Sequence, residues 1–260
     1  MFYYDLAAIS TATSPQVQAN TLTLLETLGY TTLAIETIVQ APKIHTLRTI
    51  TTSSSTTSSS SSSSTTSRKR KRSDSSSSSN AVSTLQRVTI QLTKTNDFDL
   101  IGSSTSKNLE RFDLVAVMPT TEAAFVTSCA REDIDLIAID ASCRLPFRPK
   151  PALVSQAIGR GVYFELRYSG GFQSDTCRQY FIANVKTFVR CCRGRGLICS
   201  SASTQPFGVR GHHDLANLMC LCGVKGMERA LTFVGENCEH VVQRARTRRL
   251  LKMAKEKSGK

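Results

Sequence analysis

The sequence predicts an α/β protein, a TIM-barrel-like (β/α) barrel interrupted by a disordered Ser-rich insertion. Seven short, near-continuous apolar runs alternate with helical patterns or long loops, which calls for a parallel sheet whose outer face is covered by helices. No Gly-rich nucleotide-binding turn follows the first run, which favours a barrel over an open doubly wound sheet. At 260 residues with 40% hydrophobic content, the chain is long enough for one large core.

The elements follow in order. Residues 2–6 read as a strand, and Ser14-Pro15 then caps and opens a helix with Val17, Leu24, Leu25 and Leu28 on its apolar face, stopped by Gly29. Residues 32–36 are the second strand, and residues 88–92 and 114–118 are the third and fourth. Thr120/Thr121 cap a helix running to about Arg131, and residues 136–140 form the fifth strand. A helix over 151–160 ends at Gly161, and 162–166 is the sixth strand.

Residues 175–192 form the clearest amphipathic helix, with Cys177, Phe181, Val185, Phe188 and Cys192 spaced by three or four. Residues 197–200 are the seventh strand. Asp214 caps a helix carrying Leu215, Leu218, Met219 and Cys222, and Met227, Leu231 and Val234 mark another. The eighth strand is the weak point: a segment near Val241 and Val242 supplies it, or the barrel closes irregularly. Residues 1–48 and 81–243 are thus assigned to one barrel domain, 49–80 to the insertion and 244–260 to a basic tail.

From Thr49 to Asn80 the chain is almost wholly Ser and Thr, which cannot bury enough apolar area to offset chain entropy. The run Arg68, Lys69, Arg70, Lys71 and Arg72 inside it reads as a nuclear localisation signal, reachable on a flexible segment. Loop closure grows only slowly with length, so both sides of the insertion can share one core.

The formal charge is +13, of which residues 68–74 contribute +4 and residues 244–260 contribute +7. Within the body, residues 141–211 hold eleven Lys and Arg against Glu165 and Asp175. A basic sector of this kind points to a polyanion, because each cation near a phosphate releases condensed counterions. Aromatic content is 7% with no Trp, which disfavours binding by stacked aromatics.

No run of 18 apolar residues and no secretory leader pattern is present, so a soluble, intracellular protein with no membrane partner is expected. The nine cysteines are odd in number and read mostly as reduced core residues. Cys220 and Cys222 with His212 and His213 have the wrong spacing for common zinc sites, so neither metal nor cofactor is expected.

In a barrel the carboxyl ends of the strands form the active-site mouth, and here they carry Asp5, Glu36, Pro119, Asp140, Arg167 and Ser200-Ser201. That set lacks the His-rich ligands of a metal-dependent phosphoesterase, so no catalytic residue is assigned. The competing reading is such an enzyme, using Asp5, Glu36 and Asp140 around a metal. The Pro-rich loop with Arg144, Arg148 and Lys150, anchored by Phe147, reads as a phosphate- or partner-binding segment. Arg210, next to Gly211 and ahead of a helix N-terminus, reads similarly. Arg167, Lys186 and Arg190 complete the candidate RNA- or partner-binding set, with Lys186, Arg190, Arg193 and Arg195 reading as a general electrostatic surface.

At these residues the chain resembles the RNase P subunit p30 family. The likeness is carried by Phe-Tyr-Tyr-Asp-Leu at 2–6, Phe-Asp-Leu-Val-Ala-Val-Met-Pro-Thr at 112–120, Asp-Leu-Ile-Ala-Ile-Asp at 135–140 and Arg-Leu-Pro-Phe-Arg at 144–148. It continues through Arg-Gly-Val-Tyr-Phe-Glu at 160–165, Ile-Cys-Ser-Ser-Ala at 198–202 and Arg-Gly-His-His-Asp-Leu-Ala-Asn-Leu at 210–218. The resemblance implies a barrel-shaped, non-catalytic subunit of nuclear ribonuclease P and RNase MRP, in which RNA carries the chemistry of removing 5′ leaders from precursor tRNA. It implies as partners the RNase P/MRP RNA, other subunits including a small ferredoxin-like one, and precursor tRNA indirectly, with residence in the nucleus and nucleolus. A pure protein-interaction scaffold is the third reading.

Overall fold

A computed structural model describes residues 2–46, 82–98, 101 and 109–258. The expected insertion over 49–80, with its run Arg68 to Arg72, lies outside the described residues. Seven strands form one parallel sheet in sequential order: β1 (Tyr4–Ser10), β2 (Thr32–Gln40), β3 (Ser83–Leu92), β4 (Leu114–Pro119), β5 (Leu136–Asp140), β6 (Tyr163–Arg167) and β7 (Leu197–Ser200). Sequential parallel order with helices between strands is the TIM-barrel arrangement. β2 and β3 pair without a break from Thr32 opposite Ser83 to Gln40 opposite Gln91, so the segments on either side of the insertion belong to one core.

The helices described are α1 (Pro15–Thr27), α2 (Glu122–Ala130), α3 (Pro151–Gly159), α4 (Asp175–Cys192), α5 (His212–Leu221), α6 (Met227–Leu231) and α7 (Glu236–Ser258). Local chemistry sets several of their ends. The hydroxyls of Thr121 and Ser174 accept from the backbone N–H of Ala124 and Cys177, capping α2 and α4. Pro15 and Pro151 open α1 and α3, where a missing N–H costs nothing. Gly161, at φ +80, turns the chain from α3 into β6. Asp214, expected as a cap, sits in the first turn of α5, and Gly211 is the N-cap instead.

The barrel closes irregularly. At the seam, Ala202 N–H donates to the Ala7 carbonyl (2.9 Å) and Ser201 N–H to the Asp5 carboxylate (3.1 Å). Towards the amino ends of the strands, the turn after α6 fills the gap: Tyr4 N–H donates to the Val234 carbonyl (2.8 Å) and Cys199 N–H to the Phe233 carbonyl (3.0 Å). Two carbonyls thus satisfy the backbone donors that an eighth strand would have paired.

Val241 and Val242 do not supply a strand, because they lie in α7. With Cys238 and Ala245 they are buried against Leu6, Ala34, Leu114, Leu136 and Ile198, stoppering the amino-terminal end of the barrel. Full burial of each Val, Leu or Ile side chain in this cluster contributes about 1.5–3 kcal/mol. Residues 244–258 of the expected basic tail continue this helix. Arg244 and Arg248 both bond the fully buried Asp135 carboxylate, at 3.2 and 2.7 Å, and Arg249 pairs with Asp113, so the first cations of the segment hold the stopper in place.

Candidate nucleic-acid interface

The barrel interior carries charge, and that charge neutralises itself. Arg87 on β3 and Glu165 on β6 are both fully buried and joined by a two-pronged guanidinium–carboxylate pair. Glu36 on β2 lies 3.3 Å from Arg87 and pairs with Arg167 at the end of β6. Thr89 Oγ1 donates to Glu36 and accepts from Arg87 Nε (3.0 Å), while Arg87 Nη1 also donates to the Leu6 carbonyl (2.6 Å). Burial by itself would raise the Glu165 carboxyl, but the charge and hydrogen bonds of Arg87 outweigh it and hold the group at about 2.

The acids of the enzyme reading are therefore engaged separately. Glu36 is held by two guanidinium groups. Asp5 accepts backbone N–H groups from Ala7 and Ser201 at the seam, and its burial, opposed by those hydrogen bonds, pushes it up to about 6. Asp140 accepts from the backbone and hydroxyl of Ser142. Among the described residues no cluster of three or more His, Cys, Asp or Glu side chains is arranged to hold a metal ion. His212 stacks on Tyr3 (3.7 Å between ring centroids) at the start of α5, one helix length from Cys220 and Cys222.

Arg167, one of the candidate contacts, is only 9% exposed and belongs to this interior network. Its place at a strand end made it look accessible. Pairing with Glu36 across the barrel draws it inward.

The loop after β5 presents the opposite arrangement. Phe147 is buried with its ring stacked on Phe125 (4.2 Å), and Pro149 is buried beside it. Asn184 on α4 donates its amide to the carbonyls of Ala141 (2.9 Å) and Cys143 (2.8 Å), which staples the loop to the helix. On this fixed frame Arg144, Arg148 and Lys150 are exposed, and none of their side chains has a hydrogen bond or ion pair with another described residue. Arg144 borders a cavity of about 340 Å³ that it shares with Met118, Leu145 and Phe147.

Arg210 lies on the loop after β7, which two buried tyrosines position: its N–H donates to Tyr168 Oη and its carbonyl accepts from Tyr30 Oη, both at 3.0 Å. Its guanidinium donates to the carbonyls of Phe207 and Val209 and stands 5.0 Å from the Phe172 ring. Lys186 and Arg190 are exposed on α4, away from the mouth and towards its carboxyl end. There Arg190 and Arg193 line a groove of about 290 Å³ with Lys225 and Arg229, two cations the sequence reading did not connect to this surface.

Arg87 and Glu165 also escaped that reading. Their signal was a charged residue inside an apolar strand, Arg87 before Val88 and Glu165 between Phe164 and Leu166, and it becomes legible only once the two strands face one lumen.

Comparisons with known proteins agree with this architecture. The ribonuclease P protein subunit p30 of Mus musculus is 35% identical over 168 residues, which cover 65% of this chain and 62% of that protein. A probable ribonuclease P protein subunit of Schizosaccharomyces pombe is 29% identical over 168 residues, covering 65% of this chain and 69% of its own length. A ribonuclease P/MRP protein subunit of Saccharomyces cerevisiae is 29% identical over 147 residues, or 56% of this chain and 50% of that protein. A chain from the cryo-EM structure of archaeal ribonuclease P with mature tRNA shares the fold, with a TM-score of 0.61, 10% identity and coverage of 95% of this chain and 92% of that one. The model of the RNase P subunit p30 family matches residues 2–250, and the chain belongs to that family.

Proposed function

We propose that the chain is a protein subunit of nuclear ribonuclease P, and of RNase MRP, that binds the particle's RNA and neighbouring subunits while RNA carries the cleavage chemistry. In this reading it supports 5′-leader removal from precursor tRNA and processing of ribosomal RNA, meeting precursor tRNA only indirectly. Its protein neighbours include a small ferredoxin-like subunit, and it works in the nucleus, in the nucleolus.

One observation supports the reading: Arg144, Arg148 and Lys150 stand without an ion pair to any described residue on a loop fixed by Phe147 and Asn184. A preordered loop loses little backbone entropy on presenting its cations to phosphates, and their contact gains from counterion release. Arg210 extends the set at the mouth, and Lys186 and Arg190 extend it along α4. Arg167 is left out as a phosphate contact, because its charge is neutralised inside the barrel.

The test is charge reversal of Arg144, Arg148 and Lys150 together, followed by co-purification of RNA and a salt titration of binding. Reduced association and a shallower salt dependence are expected. Unchanged binding and slope would refute the site. Phosphoester hydrolysis by RNA-free protein with divalent metal would favour the barrel-phosphoesterase reading instead.

A further inference from the structure

We propose that the barrel mouth is a pocket for a single unstacked RNA base, with Phe207 as the ring on which that base or its neighbour stacks. The inference rests on the RNA-binding reading above and divides the labour within it: outer loops meet phosphates, and the mouth meets a base.

The cavity at the mouth measures about 200 Å³ and is lined by Asp140, Ser142, Arg167, Gln173, Ala202 and Thr204. Its polar groups are not all used up. The Arg167 side chain is nine-tenths buried and ion-paired with Glu36 and Glu165, so it lines the space without offering a free charge. Ser142 binds Asp140 Oδ1, leaving Oδ2 open, and the side chains of Gln173 and Thr204 bond no other described residue. Donors and acceptors therefore converge on one small space, as the edge of a base requires.

Electrostatics selects a base over a phosphate here. The positive charges of Arg87 and Arg167 cancel against Glu36 and Glu165, and Asp140 adds a negative charge at the rim. A phosphate entering this space would meet a carboxylate, whereas a neutral heterocycle would not be repelled.

The backbone keeps the space open. A Cβ at Gly170 would stand 2.6 Å from Ser142 Oγ, so only glycine lets the β6 loop approach without displacing Ser142. Ala202 adopts φ +48, a strained conformation for a residue with a Cβ, and is held there by its N–H bond to Ala7 and by Ser169 Oγ donating to its carbonyl at 3.1 Å. On the same loop, three residues after Thr204, Phe207 is 90% exposed in a 3₁₀ turn, and its carbonyl is clamped by Arg210. A large ring so exposed on a fixed turn serves no core and suits base stacking.

The experiment uses the full chain with a short single-stranded RNA of mixed sequence and a matched oligomer in which abasic sites replace the bases. Phe207→Ala is expected to weaken RNA binding about tenfold, the stacking range, and Thr204→Val, which removes one hydrogen-bonding group, about threefold, neither changing the salt slope; both positions are exposed. Binding of the abasic oligomer and of heparin should be unaffected by either change. Thiouridine photocrosslinking should mark the peptide holding Thr204 and Phe207. Equal losses on base-bearing and abasic oligomers would overturn the pocket, as would a crosslink only to a neighbouring protein. If these variants bind RNA normally while the Arg144/Arg148/Lys150 reversal does not, the pocket falls and RNA binding stands; if neither has any effect, both fall.

Discussion

In the lumen of the barrel, Arg87, Arg167, Glu36 and Glu165 neutralise one another, whereas on the loop after β5 Arg144, Arg148 and Lys150 are exposed with no ion pair to a described residue. Arginine serves in both places with opposite consequences. A buried guanidinium must be matched by carboxylates, because an unpaired charge out of water is far costlier than the pair is favourable. An exposed one keeps its hydration until a phosphate replaces it. Count and type of basic residue therefore say little about RNA binding until each cation is assigned to lumen or loop.

The sharpest way to break this contrast is to strand a charge in the lumen. Glu165→Gln leaves Arg87 underbalanced and is expected to cost about 3–5 kcal/mol of stability, read from the denaturant midpoint, with the affinity of any protein that remains folded unchanged. The mirror experiment, reversing Arg144, Arg148 and Lys150, should lower RNA affinity about 10- to 100-fold at low salt while moving stability by no more than about 0.5 kcal/mol. If the lumen variant lost RNA binding without losing stability, the division between the two regions would be wrong.

Acidity sharpens the comparison further, because two fully buried carboxyls move in opposite directions. Glu165, held at about 2 against an ordinary 4.5, contributes stability that is complete above 4.5 and is lost as pH falls through 2. Asp5, raised to about 6 from an ordinary 3.8, contributes stability that is complete below 3.8 and is lost as pH rises through 6. Asp5→Asn should flatten the decline over that upper window, a slope of at most about 1.4 kcal/mol per pH unit, in urea titrations across a pH series. The smallest effect expected is Ser174→Ala, which removes the α4 cap and should cost about 1 kcal/mol with no change in RNA binding, read from thermal melts.

Much of the barrel was legible because burial imposes pattern. β5 and β7 fall where their apolar runs predict, and α4 matches its Cys177-to-Cys192 spacing over residues 175–192. β3 begins at Ser83, five residues before the apolar run that announced it, since Gln86 and Arg87 look unlike strand core. The closure was illegible because it uses the carbonyls of Phe233 and Val234, groups every residue carries. Val241 and Val242 read as strand because two adjacent valines favour one, yet packing along α7 decided otherwise. The loop with Arg144, Arg148 and Lys150 was readable from its prolines and its anchor Phe147. The inward pairing of Arg167 was illegible because its partner, Glu36, is distant in sequence and adjacent only across the lumen.

The stopper formed by α7 and the Phe233–Val234 turn also sets an order of events during synthesis. Both are translated after all seven strands, so a nascent chain leaving the ribosome displays the free sides of β1 and β7 and an uncovered apolar trough until they emerge. Chains released before Glu236 would carry the closing turn but lack the helix that covers Leu6, Ala34, Leu114, Leu136 and Ile198, leaving that apolar end as a surface for chaperone capture.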